Sequence, residues 1–252
     1  MRTCPLGSRA FTLVEVLVVI FTVSVLMAIL MPVLAKTRKQ GRTIVCLSNL
    51  RQMVIASQVY VNNNDGFYPI AYTNNFTGSM SIFYAWDFTS IKNWDTLEQE
   101  VTPGLLWEGE TIEKVQQCPS FKGKHNWLAD PYTGYNYNTS YIGHGQLESC
   151  VTPARAETVR KPAQCALFGD GQWKDGANKF MRAPWPIECD TFPFRAAGTQ
   201  GYRHCGKTNV AYCDGSARTV SECYKNTNSA EVPNIAPGTG FLSPDNSAYD
   251  LE

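Results

Sequence analysis

From Phe11 to Met31 the chain is apolar at nearly every position, broken only by Thr12, Glu15, Thr22 and Ser24. At 1.5 Å per residue this run extends about 31 Å, which is enough to cross a hydrocarbon core. Glu15 is the one charge inside it. A carboxylate in such a place costs about 2.5–3.5 kcal/mol on insertion scales, so it calls for a partner. After Pro32 the pattern changes. Cys46, Leu50, Met53, Ser57 and Tyr60 alternate four and three apart, which lays one apolar or neutral stripe along a helix, while Arg51, Gln52 and Gln58 fall off it. Asn62-Asn-Asn-Asp-Gly66 and Pro69 end the pattern. The expectation is one rod of about 75 Å from Phe11 to about Val61, bent at Pro32. Two helices joined at Gly41 are the alternative.

From Phe67 onward, short aromatic and β-branched pieces lie between Gly, Pro, Asn and Asp, a pattern of strands and long loops. Residues 90–106 fit no single element. Glu108–Gln117 predicts one short helix before Cys118-Pro119, residues 132–142 a strand, and Ala163–Gly169 a compact strand ending at Asp170. Asn209–Cys213 and Ser216–Val220 around Asp214-Gly215 predict a hairpin with a type I′ turn. Residues 226–252 are rich in Pro, Asn, Ser and Gly and predict loop or partial disorder. The organisation expected is therefore a leader over 1–10, a long helix over 11–62 whose 11–31 part spans a membrane, a β-rich domain over 63–225 and a tail over 226–252.

Phe11-Thr-Leu-Val-Glu15 resembles the processing site of type IV pilins and type II secretion pseudopilins, and Pro32 stands where many pilins carry a helix-bending proline. The resemblance implies that prepilin peptidase cuts between Ala10 and Phe11 and that Phe11 becomes the N-methylated first residue. It also implies that Glu15 pairs with the terminal amine of a neighbouring pilin or pseudopilin subunit. The family usually has Gly where this chain has Ala10. Two buried charges that cancel between subunits turn a cost for the monomer into register for the polymer. The fold implied is α+β: a long N-terminal membrane-anchoring helix packed against a small antiparallel β-sheet domain with long loops, pilin-like. A cleaved secretory signal has a shorter apolar core than this run, and a plain anchor leaves Glu15 unexplained. The basic residues Lys36, Arg38, Lys39 and Arg42 outnumber Arg2 and Arg9, so a bare positive-inside count favours the opposite orientation. The motif outweighs the count, which places the anchor as a single pass in a bacterial inner membrane, with the domain in the periplasm or at the cell surface.

Composition narrows the partners. The chain has 22 basic and 22 acidic residues, and losing Arg2 and Arg9 with the leader leaves about −2, so nothing electrostatic points to nucleic acid. Of nine cysteines, Cys4 goes with the leader. Cys46, Cys118, Cys150, Cys165, Cys189, Cys205, Cys213 and Cys223 read as disulfides in an exported domain, mostly paired, with 105 possible connectivities. Zinc is the competitor, but no Cys-x-x-Cys pair exists and there are only three histidines.

Arg203-His204, nine residues, then Asp214-Gly215 is similar to the His-x(9)-Asp-Gly signature of large pilin-like proteins of planctomycete-type bacteria. Cys46-Leu-Ser-Asn-Leu-Arg-Gln52, Asn64-Asp-Gly66, Cys118-Pro119, Tyr135-Asn-Tyr137 and Phe168-Gly-Asp170 extend the similarity. It brings no known chemistry. Asp170, His204 and Asp214 are candidates for a cation or catalytic site; the bland reading, a hydrogen-bonded clasp with Asp214 making the turn, is preferred, and no metal or other cofactor is expected. Calcium is the one cofactor left open, because some pseudopilins bind it in a C-terminal loop, although no dense ligand loop of that kind is present. No Gly-rich phosphate loop, His-Glu-x-x-His or Gly-x-Ser-x-Gly occurs, so an enzyme is not expected. Two roles remain: a pilin-like structural subunit of an envelope filament, or a membrane-anchored surface module that uses exposed aromatic residues to recognise glycans or an envelope partner.

Overall fold

The computed structural model describes residues 12–107, 113–124, 133–174, 176–190, 199–225 and 235–252. Ala10 and Phe11, the expected cleavage position, lie outside them. The chain divides into two compact units, residues 1–41 and 42–252. One helix, α1 (Leu13–Asn63, 51 residues), runs from the first into the second through both Pro32 and Gly41.

In the first unit α1 is exposed along its described length and is long and apolar enough to cross a membrane. The hydroxyls of Thr22, Ser24 and Thr37 donate back to the carbonyls of Val19, Ile20 and Val33 (2.9, 2.7 and 3.0 Å). These bonds satisfy the three hydroxyls within the helix itself.

In the second unit the expected stripe is the buried face of α1. Cys46, Asn49, Leu50, Met53, Val54, Ser57 and Val61 are buried, Tyr60 is half-buried, and Arg51, Gln52 and Gln58 are exposed. The helix stops where the sequence turns to Asn and Asp. Asp65 and Gly66 take φ of +50° and +83°, and Gly66 N donates to Val61 O at 3.0 Å, closing the last turn in a Schellman arrangement.

Four strands, β1 (Tyr72–Thr77), β2 (Met80–Ala85), β3 (Phe88–Asn93) and β4 (Gln99–Pro103), form an antiparallel meander, which resolves the ambiguous stretch 90–106. A second sheet contains β5 (Asn136–Asn138), β6 (Ala166–Gly169), β7 (Phe180–Met181), β9 (Thr208–Tyr212) and β10 (Ala217–Val220), in the order β10-β9-β6-β5-β7. Its β5–β7 pair is parallel, so this sheet is mixed where an antiparallel one was expected. Two further short strands, β8 (Gln200–Gly201) and β11 (Thr239–Gly240), pair with each other. Trp86, Tyr137 and Phe168 meet at ring-centroid distances of 5.2–5.7 Å in the main core, with the Tyr137 hydroxyl donating to Pro69 O. A buried Lys179–Asp87 ion pair joins the segment before β7 to the meander.

Further expectations change: of the strand expected over 132–142 only Asn136–Asn138 forms, and a π-helical turn, Thr139–Gly143, follows it. The β9–β10 hairpin exists, but its loop is Cys213-Asp214-Gly215, with Gly215 alone at φ +91° and Gly215 N donating to Tyr212 O. One residue more than a type I′ turn needs lets the glycine alone supply the positive φ, as in a G1-bulge hairpin. Within Glu108–Gln117 the described residues hold only a 3-10 turn, Glu113–Gln116. Of the expected tail, 226–234 lies outside the described residues; 235–252 is mostly turns and bends, as a loop should be, yet it packs: Phe241, Leu242 and Tyr249 are buried in a second core against Ala166, Met181 and Val210. The polar composition of the tail masked these three large apolar side chains. Finally, among the described residues one disulfide forms, Cys150–Cys189, and Cys46, Cys118, Cys165, Cys205, Cys213 and Cys223 are thiols. Two of the buried ones have a different set of neighbours.

Candidate functional site

Thr12 precedes the first residue of α1, and Glu15 is its third. Thr12 N and Oγ1 both donate to Glu15 Oε2 at 2.8 Å, and Glu15 N donates to Thr12 Oγ1 at 3.3 Å. This is a reciprocal capping box, in which side chains satisfy helix-terminal N–H groups. The Thr-x-x-Glu spacing is a capping-box signature that the sequence carries by itself.

Far along the chain, four buried side chains converge. Cys46 comes from the buried face of α1, and Cys118 from the segment after the 3-10 turn. Asp170 stands just after β6, and His204 lies in the loop between β8 and β9. One ligand atom from each lies within 4.8 Å of the others. Cys46 Sγ is 3.1 Å and Cys118 Sγ 3.7 Å from Asp170 Oδ1, the two sulfurs are 3.9 Å apart, and Cys118 Sγ is 3.8 Å from His204 Nε2. His204 Nε2 is also 3.2 Å from Asp170 Oδ2. Among the described residues this is the group of His, Cys, Asp and Glu in which donor atoms gather to this degree.

The surroundings hold each member in place. Thr43, one turn before Cys46 on α1, bonds His204 Nδ1 through its hydroxyl at 3.2 Å. Asn209 N donates to Asp170 Oδ2 at 2.7 Å. Arg203 donates from Nε to Cys118 Sγ (3.3 Å) and from Nη2 to Asp170 Oδ1 (3.1 Å), and its guanidinium also reaches the carbonyls of Gly134 and Gly171. Gly134 has φ +108°, and a Cβ there would sit 2.6 Å from Cys118 Cβ, so the chain passes this point only as glycine.

These contacts set the ionisation. Burial pushes the Asp170 carboxyl up, but Arg203 and His204 outweigh it and hold it below its ordinary value. Burial pulls His204 down, yet Asp170 and Cys118 raise it to about 9. Burial drives the Cys46 thiol up, reinforced by Cys118 and Asp170. Cys118 is brought down to about 5, first by its bond with Cys46 and then, against burial, by Arg203 and His204.

Of the three residues named from sequence, the structure brings Asp170 and His204 together and leaves Asp214 out. The Asp214 carboxylate accepts from Ser216 N at 2.9 Å and shapes the hairpin turn. The sequence reading takes Cys46 and Cys118 as disulfide halves, names Arg203 only as the neighbour of His204 with no role, and passes over Thr43. The Thr43–Cys46 spacing on one helix face and the Arg203-His204 adjacency were the available signals. The separations of 72 and 124 residues from Cys46 to Cys118 and Asp170 hid the rest.

The tryptophans separate by exposure. Trp86 and Trp107 are buried, whereas Trp94 and Trp185 are 52% and 43% exposed. Trp94 lines a groove on the meander with Phe76, Phe83 and Lys92, and donates to Ser81 Oγ at 3.1 Å. Trp185 donates to Pro244 O in the C-terminal segment. Compared with protein-family models, curated proteins and solved structures, the chain matches none.

Proposed function

We propose that this chain is a pseudopilin or pilin-like structural subunit, assembled through its N-terminal helix into an envelope filament of secretion or pilus type. The observation that carries the reading is the first half of α1, exposed and apolar on all sides with Glu15 at its start, and continuous with the helix that builds the domain core. A side chain set that is apolar all round suits lipid or a bundle of identical helices. Prepilin peptidase is the processing partner in this reading, and the bacterial inner membrane holds the subunit before assembly. The role is structural, without catalysis.

The capping box sharpens the test. Gln at the same place still caps a helix, because the motif accepts Glu or Gln, but it carries no charge. Glu15→Gln therefore separates capping from inter-subunit pairing, and Glu15→Ala removes both. On this reading both variants insert into the membrane, and neither is crosslinked into oligomers with its neighbours. Oligomers of Glu15→Gln at the wild-type level would leave Glu15 with the cap alone. Mass spectrometry of protein from its native membrane is expected to show a chain beginning at N-methylated Phe11. An intact Met1, or a cut after Ala35, would remove the pilin-like reading.

A second reading draws on the exposed Trp94 and Phe76 beside the polar groups of the meander, an arrangement suited to stacking on sugar rings. It is a surface module that binds glycans or an envelope partner. Glycan-array binding abolished by Trp94→Ala, with assembly unchanged, would favour it.

A further inference from the structure

We propose that Cys46, Cys118, Asp170 and His204 are the four protein ligands of a structural Zn²⁺ ion. The inference does not depend on the filament reading. Two thiolates, an imidazole and a carboxylate form a donor set that zinc accepts, and sulfur donors disfavour calcium and magnesium.

The geometry supports the assignment. Two zinc–sulfur bonds of about 2.3 Å at the tetrahedral angle put their sulfurs about 3.8 Å apart. One such bond with a zinc–nitrogen bond of about 2.0 Å puts sulfur and nitrogen about 3.5 Å apart. The corresponding edges here are 3.9 Å between the sulfurs and 3.8 Å from Cys118 Sγ to His204 Nε2. The carboxylate faces the sulfurs with Oδ1, at 3.1 and 3.7 Å, and the imidazole with Oδ2, at 3.2 Å, and one donor atom from each of the four residues lies within 4.8 Å of the others. A disulfide between Cys46 and Cys118 requires the sulfurs at about 2.05 Å, much closer than they stand.

The neighbours are those a metal site needs. In the zinc-bound form His204 would donate Nδ1–H to Thr43 Oγ1, 3.2 Å away, and give up its Nε2 proton to leave that lone pair for the ion. Arg203 Nε is aimed at the Cys118 sulfur from 3.3 Å. A donor so placed suits a thiolate. Charge also closes: two thiolates and a carboxylate around a dication leave one negative charge, and the Arg203 guanidinium at Cys118 and Asp170 offsets it. Four protein ligands in a buried site leave no open position for water or substrate, which makes the ion structural. It ties α1 to three segments distant in sequence. In the His-x(9)-Asp-Gly motif the histidine is then a ligand, while Asp-Gly only turns the hairpin.

The full chain, purified in detergent without chelators, is expected to carry about one zinc per molecule by elemental analysis. Replacement by Co²⁺ should give thiolate-to-cobalt charge-transfer absorption and the intense ligand-field bands of a tetrahedral site, both lost in Cys118→Ser. Thr43→Val keeps all four ligands and should weaken zinc binding about tenfold, as loss of a group orienting a ligand does. Should Cys118→Ser fail to fold, the wild type still decides: chelator should lower its melting temperature and speed alkylation of Cys46 and Cys118. Wild-type protein without zinc, without cobalt–thiolate bands and with no response to chelator would overturn the assignment and leave a hydrogen-bonded clasp. A Cys46–Cys118 disulfide in peptide maps of unreduced protein would overturn it as well.

Discussion

Gly134 shows how closely single residues are constrained around the cluster. Its φ of +108° is a region that side-chain-bearing residues rarely enter, and its missing Cβ leaves room for Cys118 and Phe121. Gly206 shares a positive φ of +80°, but a Cβ there would meet nothing within 4 Å. Gly206→Ala is therefore expected to cost about 1 kcal/mol, the backbone term alone, and Gly134→Ala about 3 kcal/mol or more. Urea midpoints at constant slope measure the difference; equal losses would mean that crowding at Cys118 contributes nothing. His144, at φ +46°, makes a second residue-scale case. Burial lowers its affinity for a proton, with Arg182 adding to that effect while Asp190 and Glu148 oppose it. A histidine depressed in the folded state stays neutral there while the unfolded chain takes up a proton. Its contribution is complete above the unfolded value of 6.5 and is lost as pH falls below it. Melting temperature is expected to fall between pH 7 and pH 5, and to fall less in His144→Asn, which tolerates the same backbone angle. An unchanged slope in that variant would assign the acid sensitivity to other groups.

Between elements, the disulfide and a buried charge group act together. Arg182, just after β7, pairs with Asp190 (2.7 Å) and with Glu148. Cys150 lies two residues beyond Glu148, and Cys189 immediately precedes Asp190, so their bond holds both acids around the guanidinium. The bond closes a loop with a sequence separation of 39, which on the chain-entropy account stabilises by about 4 kcal/mol. Reduction, or Cys150→Ser with Cys189→Ser, is expected to lower stability by up to that amount. Arg182→Leu should cost about 3–5 kcal/mol in oxidised protein, because it leaves two buried carboxylates without their cation. A double-mutant cycle between the two changes is expected to be non-additive, since they disturb one network. Strict additivity would show that the bond and the charge group act separately.

At the scale of the whole molecule, the division near Gly41 separates an exposed apolar helix from a domain with its own cores. A chain truncated to residues 42–252 keeps Thr43, Cys46 and the buried face of α1. It is expected to be soluble without detergent and to unfold cooperatively, whereas the full chain requires a membrane or detergent. Aggregation of the truncated chain, or a non-cooperative melt, would show that residues before 42 belong to the fold.

What was legible in sequence is what local rules control. The membrane-length run, the stripe from Cys46 to Ser57, the helix stop at Asn62–Gly66 and the β9–β10 hairpin depend on residues within a turn or two of one another. Periodicity and turn chemistry report such contacts directly. The three-residue hairpin loop, the parallel β5–β7 pair and the packing of Tyr249 depend on partners that sequence separation conceals. The same holds for the cysteines: composition and compartment led to disulfides, and only folding decided which sulfurs meet. Cys150 meets Cys189, whereas Cys46 and Cys118 are held 3.9 Å apart beside Asp170 and His204. A ligand set drawn from positions 46 to 204 has no local signature, because its members become neighbours only when the helix, the sheet and two loops have packed.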